Sequence, residues 1–300
     1  MINGIINVYK EQGYTSHDVV AKMRGILKMK KIGHTGTLDP EAQGVLPVCI
    51  GKATKLVDLI TDKDKTYMAV LKLGITTDTQ DMTGQILATS EVTVGLEQIQ
   101  EVMKHYIGEY LQLPPMYSAI KVGGKKLYEL ARQGKEIERE RRKVIIKDIK
   151  ILDYSEQDHE VTVSVDCGKG TYIRTLLHDI GAELGCGGAM KSLLRTAVGN
   201  FHMEQALTLA QIEEKVKENV LDEYIVPIDR MFDTFNKVKV DKLYHKLIYN
   251  GNPFSKAHLT ERPDVYSSDM VRVYDADDIF IGIYRYDTAE KQYKPVKLFL

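Results

Sequence analysis

Two runs rich in β-branched residues, "KVIIKDIKILDYS" (143–155) and "EVTVSVDC" (160–167), are separated by only four residues. So short a link leaves no room for a crossover helix, so the runs are expected to pair as neighbouring antiparallel strands. "GIINVYK" (4–10) and "KTYMAVLKLG" (65–74) read as further strands, and "VLPVCIGKATKLVDLI" (45–60) as a buried strand, a turn and a helix. Helices are expected after Ser16, where Val19, Val20, Met23, Ile26 and Leu27 fall on one face with Ser16 as the cap, and over "LEQIQEVMKHYIG" (96–108), ended by Gly108. The order of these elements is mixed α and β without the strand–helix alternation of a doubly wound sheet.

At 300 residues the chain exceeds a typical single domain, and its texture changes near residue 230. Beyond it come short β-type segments such as "MVRVYDADDIFIGIYRYD" (270–287), so the expected division is 1–235 and 236–300. A hydrophobic content of 43% is enough to bury a sizeable core. The beginning has no basic-then-apolar leader and no run is long enough to span a membrane, so a cytoplasmic protein is expected. Cys49, Cys167 and Cys186 are too few and too scattered for a disulfide framework or a zinc site. Forty-one basic residues balance forty-two acidic ones, so a polyanionic partner must be met by local patches rather than by net charge.

The segment "GHTGTLDP" (33–40) sets one imidazole, His34, and one carboxylate, Asp39, among small residues. A phosphate-binding loop is excluded nearby: "GVLPVCIGKAT" lacks the first glycine of that motif and has Ala53 in the Ser/Thr position. His34 and Asp39 fall short of the three protein ligands of a catalytic metal site, so no metal is expected. "GKGTYIR" (168–174) fits a turn followed by a strand with an outward tyrosine and arginine, or the entry to a helix after the glycines.

Four segments in order, "GHTGTLDPEAQGVLPVCIGKATK" (33–55), "KTYMAVLKLGITTDTQDMTG" (65–84), "LPPMYSAIKVGGKKLYELARQG" (113–134) and "GKGTYIRTLLHDIGAELG" (168–185), together resemble the bacterial TruB-type tRNA pseudouridine synthases. "LLRTAVGNF" (193–201) extends the resemblance. It implies an α+β pseudouridine synthase fold, a mixed, mainly antiparallel sheet flanked by helices and loops, with a small β-rich PUA-like RNA-binding domain at 236–300. It also implies an isomerisation in which the uracil of a uridine, number 55 in the T arm of tRNA, leaves C1′ by its nitrogen and returns by C5. No cofactor or metal is used in the family. Where the family commonly has Lys-Pro this chain has Lys10-Glu11, which alters the rigidity of that turn.

Carried over residue by residue, the resemblance makes Asp39 the group that first engages the nucleotide. It makes Arg174 the fixed cation that keeps Asp39 ionised, and Tyr172 a phenol placed for proton transfer. His34 would fill the space left by the flipped nucleotide, Tyr67 would stack on the extruded uracil, Leu193 would close the pocket, and Asp81 would orient the network. Lys10, with Lys52, Lys55, Lys121, Lys125 and Lys126, is a candidate for substrate contact, and the segment 111–134 is expected as a surface insertion. "KEIERERRK" (135–143) fits a solvated face. A noncatalytic RNA-binding protein would not need Asp39, Tyr172 and Arg174 together. A guide-RNA-dependent synthase of the archaeal and eukaryotic kind is the other alternative, against which the insertion resembles the stand-alone bacterial form. A monomer acting on tRNA without guide RNA, protein partner or membrane is expected, its C-terminal module contributing binding and removable without unfolding the rest.

Overall fold

The structure is a computed structural model that describes residues 2–118 and 120–300. Its centre is a sheet whose strands follow their sequence patterns. In Lys65–Leu73, Tyr67, Ala69, Leu71 and Leu73 alternate with more exposed residues. In Glu160–Cys167, Val161, Val163, Val165 and Cys167 do the same. The two strands pair antiparallel so that Val161 faces Leu71, Val163 faces Ala69 and Val165 faces Tyr67. Both apolar rows therefore lie on one face, where Ile173, Leu176, Leu177 and Ile180 of the helix Ile173–Glu183 cover them, with Ile99 and Met103 of the helix Leu96–His105. Each fully buried side chain of this kind contributes about 1.5–3 kcal/mol.

The sheet runs, edge to edge, through Ile225–Val226, Gly4–Lys10, Gln43–Ile50, Gly188–Val198, Lys65–Leu73, Glu160–Cys167, Arg142–Ser155 and Gly108–Gln112. Every neighbouring pair is antiparallel except one. Gln43–Ile50 meets Gly188–Val198 in parallel, through Leu194 opposite Gln43 and Arg195 opposite Gly44. At this seam the backbones come so close that a Cβ on Gly44 would lie 2.2 Å from the Arg195 carbonyl oxygen, and Gly44 has φ +107°. Only glycine meets both demands.

The expected helix near the N-terminus spans Ser16–Leu27 and lays Val19, Val20, Met23 and Leu27 against Ile6, Val8, Leu46 and Val48. Its cap is Thr15 rather than Ser16. Thr15 accepts from the Asp18 N–H while the Asp18 carboxylate accepts from the Thr15 N–H, a reciprocal capping box. The second expected helix stops at His105, and Gly108, at φ +104°, instead opens the edge strand Gly108–Gln112.

Residues 236–298 form a second, six-stranded sheet with its own core of Val238, Val240, Ile248, Phe254, Val271, Val273, Ile281, Tyr284 and Tyr293. The chain end returns to the first unit: Phe299, 2% exposed, packs with Ile5, Val45, Cys49, Leu56 and Ile60, and Lys55 Nζ donates to the Leu298 carbonyl at 2.7 Å. The two units thus share a core. Among the described residues, no helix is long and apolar enough to cross a membrane.

Candidate active site

The short strand Ile32–His34 pairs with Gln43–Ile50, and residues 35–42 loop between them. His34 therefore ends a strand rather than lying within the loop. Thr35 is buried and its hydroxyl donates to the Pro47 carbonyl at 3.0 Å. Leu38, 3% exposed, is a plug in the same core cluster as Tyr67 and Ile173. With both ends of the loop pinned, Asp39 follows the plug and keeps 42% of its side chain accessible. A turn is closed behind it by the Ala42 N–H donating to the Asp39 carbonyl at 3.1 Å.

Tyr172 is the N-terminal flanking residue of the helix Ile173–Glu183, which puts Arg174 in the first turn and not on a strand. A helix N-terminus repels a cation, so an arginine buried there needs strong partners. Arg174, 5% exposed, has them: Nε lies 3.0 Å from Asp39 Oδ2, and Nη2 donates to the Tyr117 carbonyl at 2.8 Å. Nη1 donates to the Thr79 carbonyl at 3.0 Å and lies 3.5 Å from Asp81 Oδ2. The other Asp81 oxygen accepts from the Thr79 hydroxyl (2.7 Å), the Thr83 N–H (2.9 Å) and the Thr83 hydroxyl (2.5 Å). Asp81 is thereby fixed by its own turn, whereas the Asp39 side chain is held by Arg174 and stays open to the surface. Because Tyr117 supplies a partner, the segment expected as a surface insertion begins inside the site.

Crowding by protein atoms pushes the Asp39 carboxyl above its ordinary value; Arg174 draws it back and Asp81 adds to the rise. His34 is pushed down to about 4, first by burial and then by His17 and Arg195, so its imidazole is neutral at neutral pH. The His17 ring meets it edge-on at 5.1 Å, and the Gly36 N–H donates to His34 Nδ1 at 3.4 Å. Burial raises the phenols of Tyr67 and Tyr172, and both feel the charge of Asp39. The Tyr172 backbone is clamped by Gln112, which accepts from its N–H at 2.8 Å and donates to its carbonyl at 2.9 Å.

Tyr67 lies opposite Arg195 and Leu193 lies opposite Ala69, so these two expected site residues share adjoining strands and the same core cluster. Lys10 differs from its expected place. It is fully buried, and its ammonium donates to the carbonyls of Glu11 (3.1 Å) and Pro40 (3.0 Å), so it holds the Asp39 loop from below rather than facing a phosphate. Burial lowers it to about 8, with Asp39 and Glu41 opposing the shift. Lys52 and Lys125 are exposed, and the side chains of Lys121 and Lys126 lie outside the described residues. Arg139, within the mixed-charge run, folds back on the Pro114 carbonyl at 3.0 Å.

Sequence reasoning missed Arg195. It is 1% exposed, donates from Nε to the Val45 carbonyl at 2.7 Å and from Nη2 to the Gly36 carbonyl at 3.4 Å, and stands beside Tyr67. It ties the parallel seam to the Asp39 loop. Its signal was an arginine inside "LLRTAV", a stretch otherwise fit for a buried strand. Among the described residues no group of three or more His, Cys, Asp or Glu is placed to hold a metal ion.

An open carboxylate, Asp39, held by a buried arginine that also meets Asp81, with two phenols that feel its charge, is the arrangement to be compared with known proteins. The description "TruB family pseudouridylate synthase (N terminal domain)" matches residues 24–173, and "tRNA pseudouridylate synthase B C-terminal domain" matches residues 174–233. The chain belongs to the TruB family of pseudouridylate synthases. It is accordingly an isomerase of uridine. The two matched regions meet between Ile173 and Arg174, inside one helix, so their boundary is not a structural one.

Full-length relatives agree. The synthase is 56% identical over 307 residues to the tRNA pseudouridine synthase B of Lachnoclostridium phytofermentans, covering 100% of both chains. It is 47% identical to that of Alkaliphilus oremlandii, covering 97% of this chain and 96% of the relative. Among solved structures, a chain of a Cbf5-Nop10-Gar1 complex superposes with a TM-score of 0.71 at 28% identity, covering 99% of this chain and 85% of that one. The α+β fold, its large sheet and its β-rich C-terminal part are thus shared along the length of the synthase.

Proposed function

We propose that the synthase converts uridine 55 in the T arm of tRNA to pseudouridine, with Asp39 as the group that first engages the flipped nucleotide. The observation that carries the reading is the Asp39–Arg174 contact at 3.0 Å, in which an otherwise buried arginine meets a carboxylate still open to the surface. Covalent work by a single carboxylate divides one difficult substitution into easier steps. That carboxylate must be ionised under a covering RNA, where further burial raises its pKa, so a fixed cation beside it is required. Arg174 fills that need.

Extruding a base from its stack costs a few kcal/mol, which the protein must return through contacts with the flipped nucleotide. A neutral His34 at the mouth of the loop suits the vacated space, since an uncharged ring can lie among bases without carrying its own hydration shell. Tyr67 offers a ring on which uracil stacks, Leu193 closes the pocket, and Tyr172 stands where its phenol can carry a proton. The C1′–N1 bond breaks and a C1′–C5 bond forms; C5 gives up its proton and N1 gains one, so the reaction balances without a redox partner. In this reading Lys10 acts through the loop it supports, and the module at 236–300, of PUA-like character, grips RNA away from the reacting base. The synthase acts as a cytoplasmic monomer on tRNA alone, without guide RNA, protein partner, cofactor or metal. The relatives' name, tRNA pseudouridine synthase B, supports the choice of substrate.

The test uses the purified full chain and tRNA tritiated at uracil C5, with no ATP, metal or guide RNA. One tritium per tRNA is expected to appear in water, and none from tRNA carrying cytidine at position 55. Absence of release, or undiminished release from the cytidine-55 tRNA, contradicts the proposal.

A further inference from the structure

Ser16 has the composition and position of a helix cap but is not one. Thr15 takes that role, and Ser16, the first helical residue, is fully buried. Its hydroxyl oxygen accepts from the Leu38 N–H at 2.9 Å, and its proton points to the Leu38 carbonyl at 3.4 Å. One side chain thus satisfies both backbone groups of the residue that precedes Asp39. On the other side of Asp39, the Pro40 carbonyl accepts from the Gly13 N–H at 2.9 Å and from Lys10 Nζ at 3.0 Å. The turn at residues 10–16 therefore holds the chain immediately before and immediately after the carboxylate, while Asp39 itself is left free to face Arg174.

We infer that Ser16 is a positioning residue for Asp39, acting through Leu38. The inference rests on the reading of Asp39 as the reacting carboxylate. Leu38 is a buried plug, and a plug alone fixes depth but not rotation about the loop; the two-point hydroxyl contact fixes the peptide plane and with it the direction in which the Asp39 side chain leaves the backbone. A hydroxyl supplies both an acceptor and a donor at one point, which no apolar residue of similar size does.

Ser16→Ala should fold, because alanine suits a helix and the cap on Thr15 is untouched. The Leu38 N–H then loses its partner, the loop gains freedom, and the single-turnover rate is expected to fall about ten- to a hundredfold, as for a reacting group displaced by a fraction of an ångström. The concentration of tRNA giving half the maximal rate should stay unchanged, since Ser16 touches no surface. Hydrogen exchange in a peptide spanning residues 35–42 should quicken. Ser16→Cys keeps the shape with a weak acceptor and serves if the alanine variant is poorly soluble; it is expected to slow the reaction as well. Thr15→Ala is the control: it removes the cap and lowers the melting temperature without touching Leu38, and its rate should match the native protein's. The inference is overturned by a native rate in Ser16→Ala or Ser16→Cys, by equal slowing in Thr15→Ala below its melting temperature, or by a loss confined to tRNA binding. These outcomes are separate from failure of the underlying reading, which would show as an active Asp39→Asn.

Discussion

Replacing Arg174 by lysine preserves the charge and removes the geometry. The guidinium group serves four acceptors in three directions, two carboxylates and the carbonyls of Thr79 and Tyr117, from a side chain 5% exposed. An ammonium on a shorter reach serves one carboxylate and one carbonyl. The other carbonyl is stranded, at a cost of about 1–3 kcal/mol for a buried acceptor, and Asp81 or Asp39 loses its charge-assisted contact. Water can reach Asp39 through the open side and recovers part of this, so the net loss of stability is expected near about 2–3 kcal/mol. Urea denaturation followed by far-ultraviolet circular dichroism measures it. Misplacement of the carboxylate should also lower single-turnover tritium release about 100-fold, even at saturating enzyme. A variant within about 0.5 kcal/mol of native stability and within about twofold of its rate would refute the role given to the guanidinium fork.

Tyr67→Phe should retain much of the rate and Tyr67→Leu far less, because stacking on a base is worth about 1–3 kcal/mol; equal rates in the two variants would exclude stacking. Phe299→Ala should cost about 3–5 kcal/mol, read by thermal and urea denaturation, because the ring fills a core shared by both units. For the same reason a chain cut after residue 232 is expected to be destabilised, and a fully stable truncation would show that the shared core contributes little. Asp39→Asn tests the direction of the carboxyl shift. With its folded value raised, native Asp39 binds more protons folded than unfolded between the ordinary and raised values, so its contribution to stability falls as pH rises through that window. The stability of Asp39→Asn, which lacks this titration, should therefore rise relative to that of the native chain as pH rises through the window; a difference that moves the other way contradicts the sign.

Much of the fold was legible because period-two alternation in 65–73 and 160–167 can bury only one face, and the pairing then follows from matching the buried rows. The parallel seam was not legible. It rests on two residue pairs between strands about 150 positions apart, and its one local mark, Gly44, is an ordinary glycine until its neighbour is known. Asp39 stood out as an isolated carboxylate among small residues, and its partner Arg174 emerged from family resemblance. The helical setting of Arg174 was one of two readings, since "GKGTYIR" suits a strand as well as the entry to a helix, and packing against 79–81 and Tyr117 decides for the helix. Ser16 was misplaced by one position because Thr15 and Ser16 are both good caps, and the reciprocal contact with Asp18 selects the first. Lys10 looked available for RNA because a lysine is usually exposed; its burial depends on the carbonyls of Glu11 and Pro40 converging on it.

The central claim is that one carboxylate, Asp39, carries the glycosidic exchange. It is tested most directly by Asp39→Asn with tRNA tritiated at uracil C5, at enzyme concentrations high enough to bind all the tRNA, with binding measured in parallel by filter retention. The account predicts native-like affinity and no tritium release above that of free tRNA over many native half-times. Release by the asparagine variant approaching one tritium per tRNA under these conditions would contradict it.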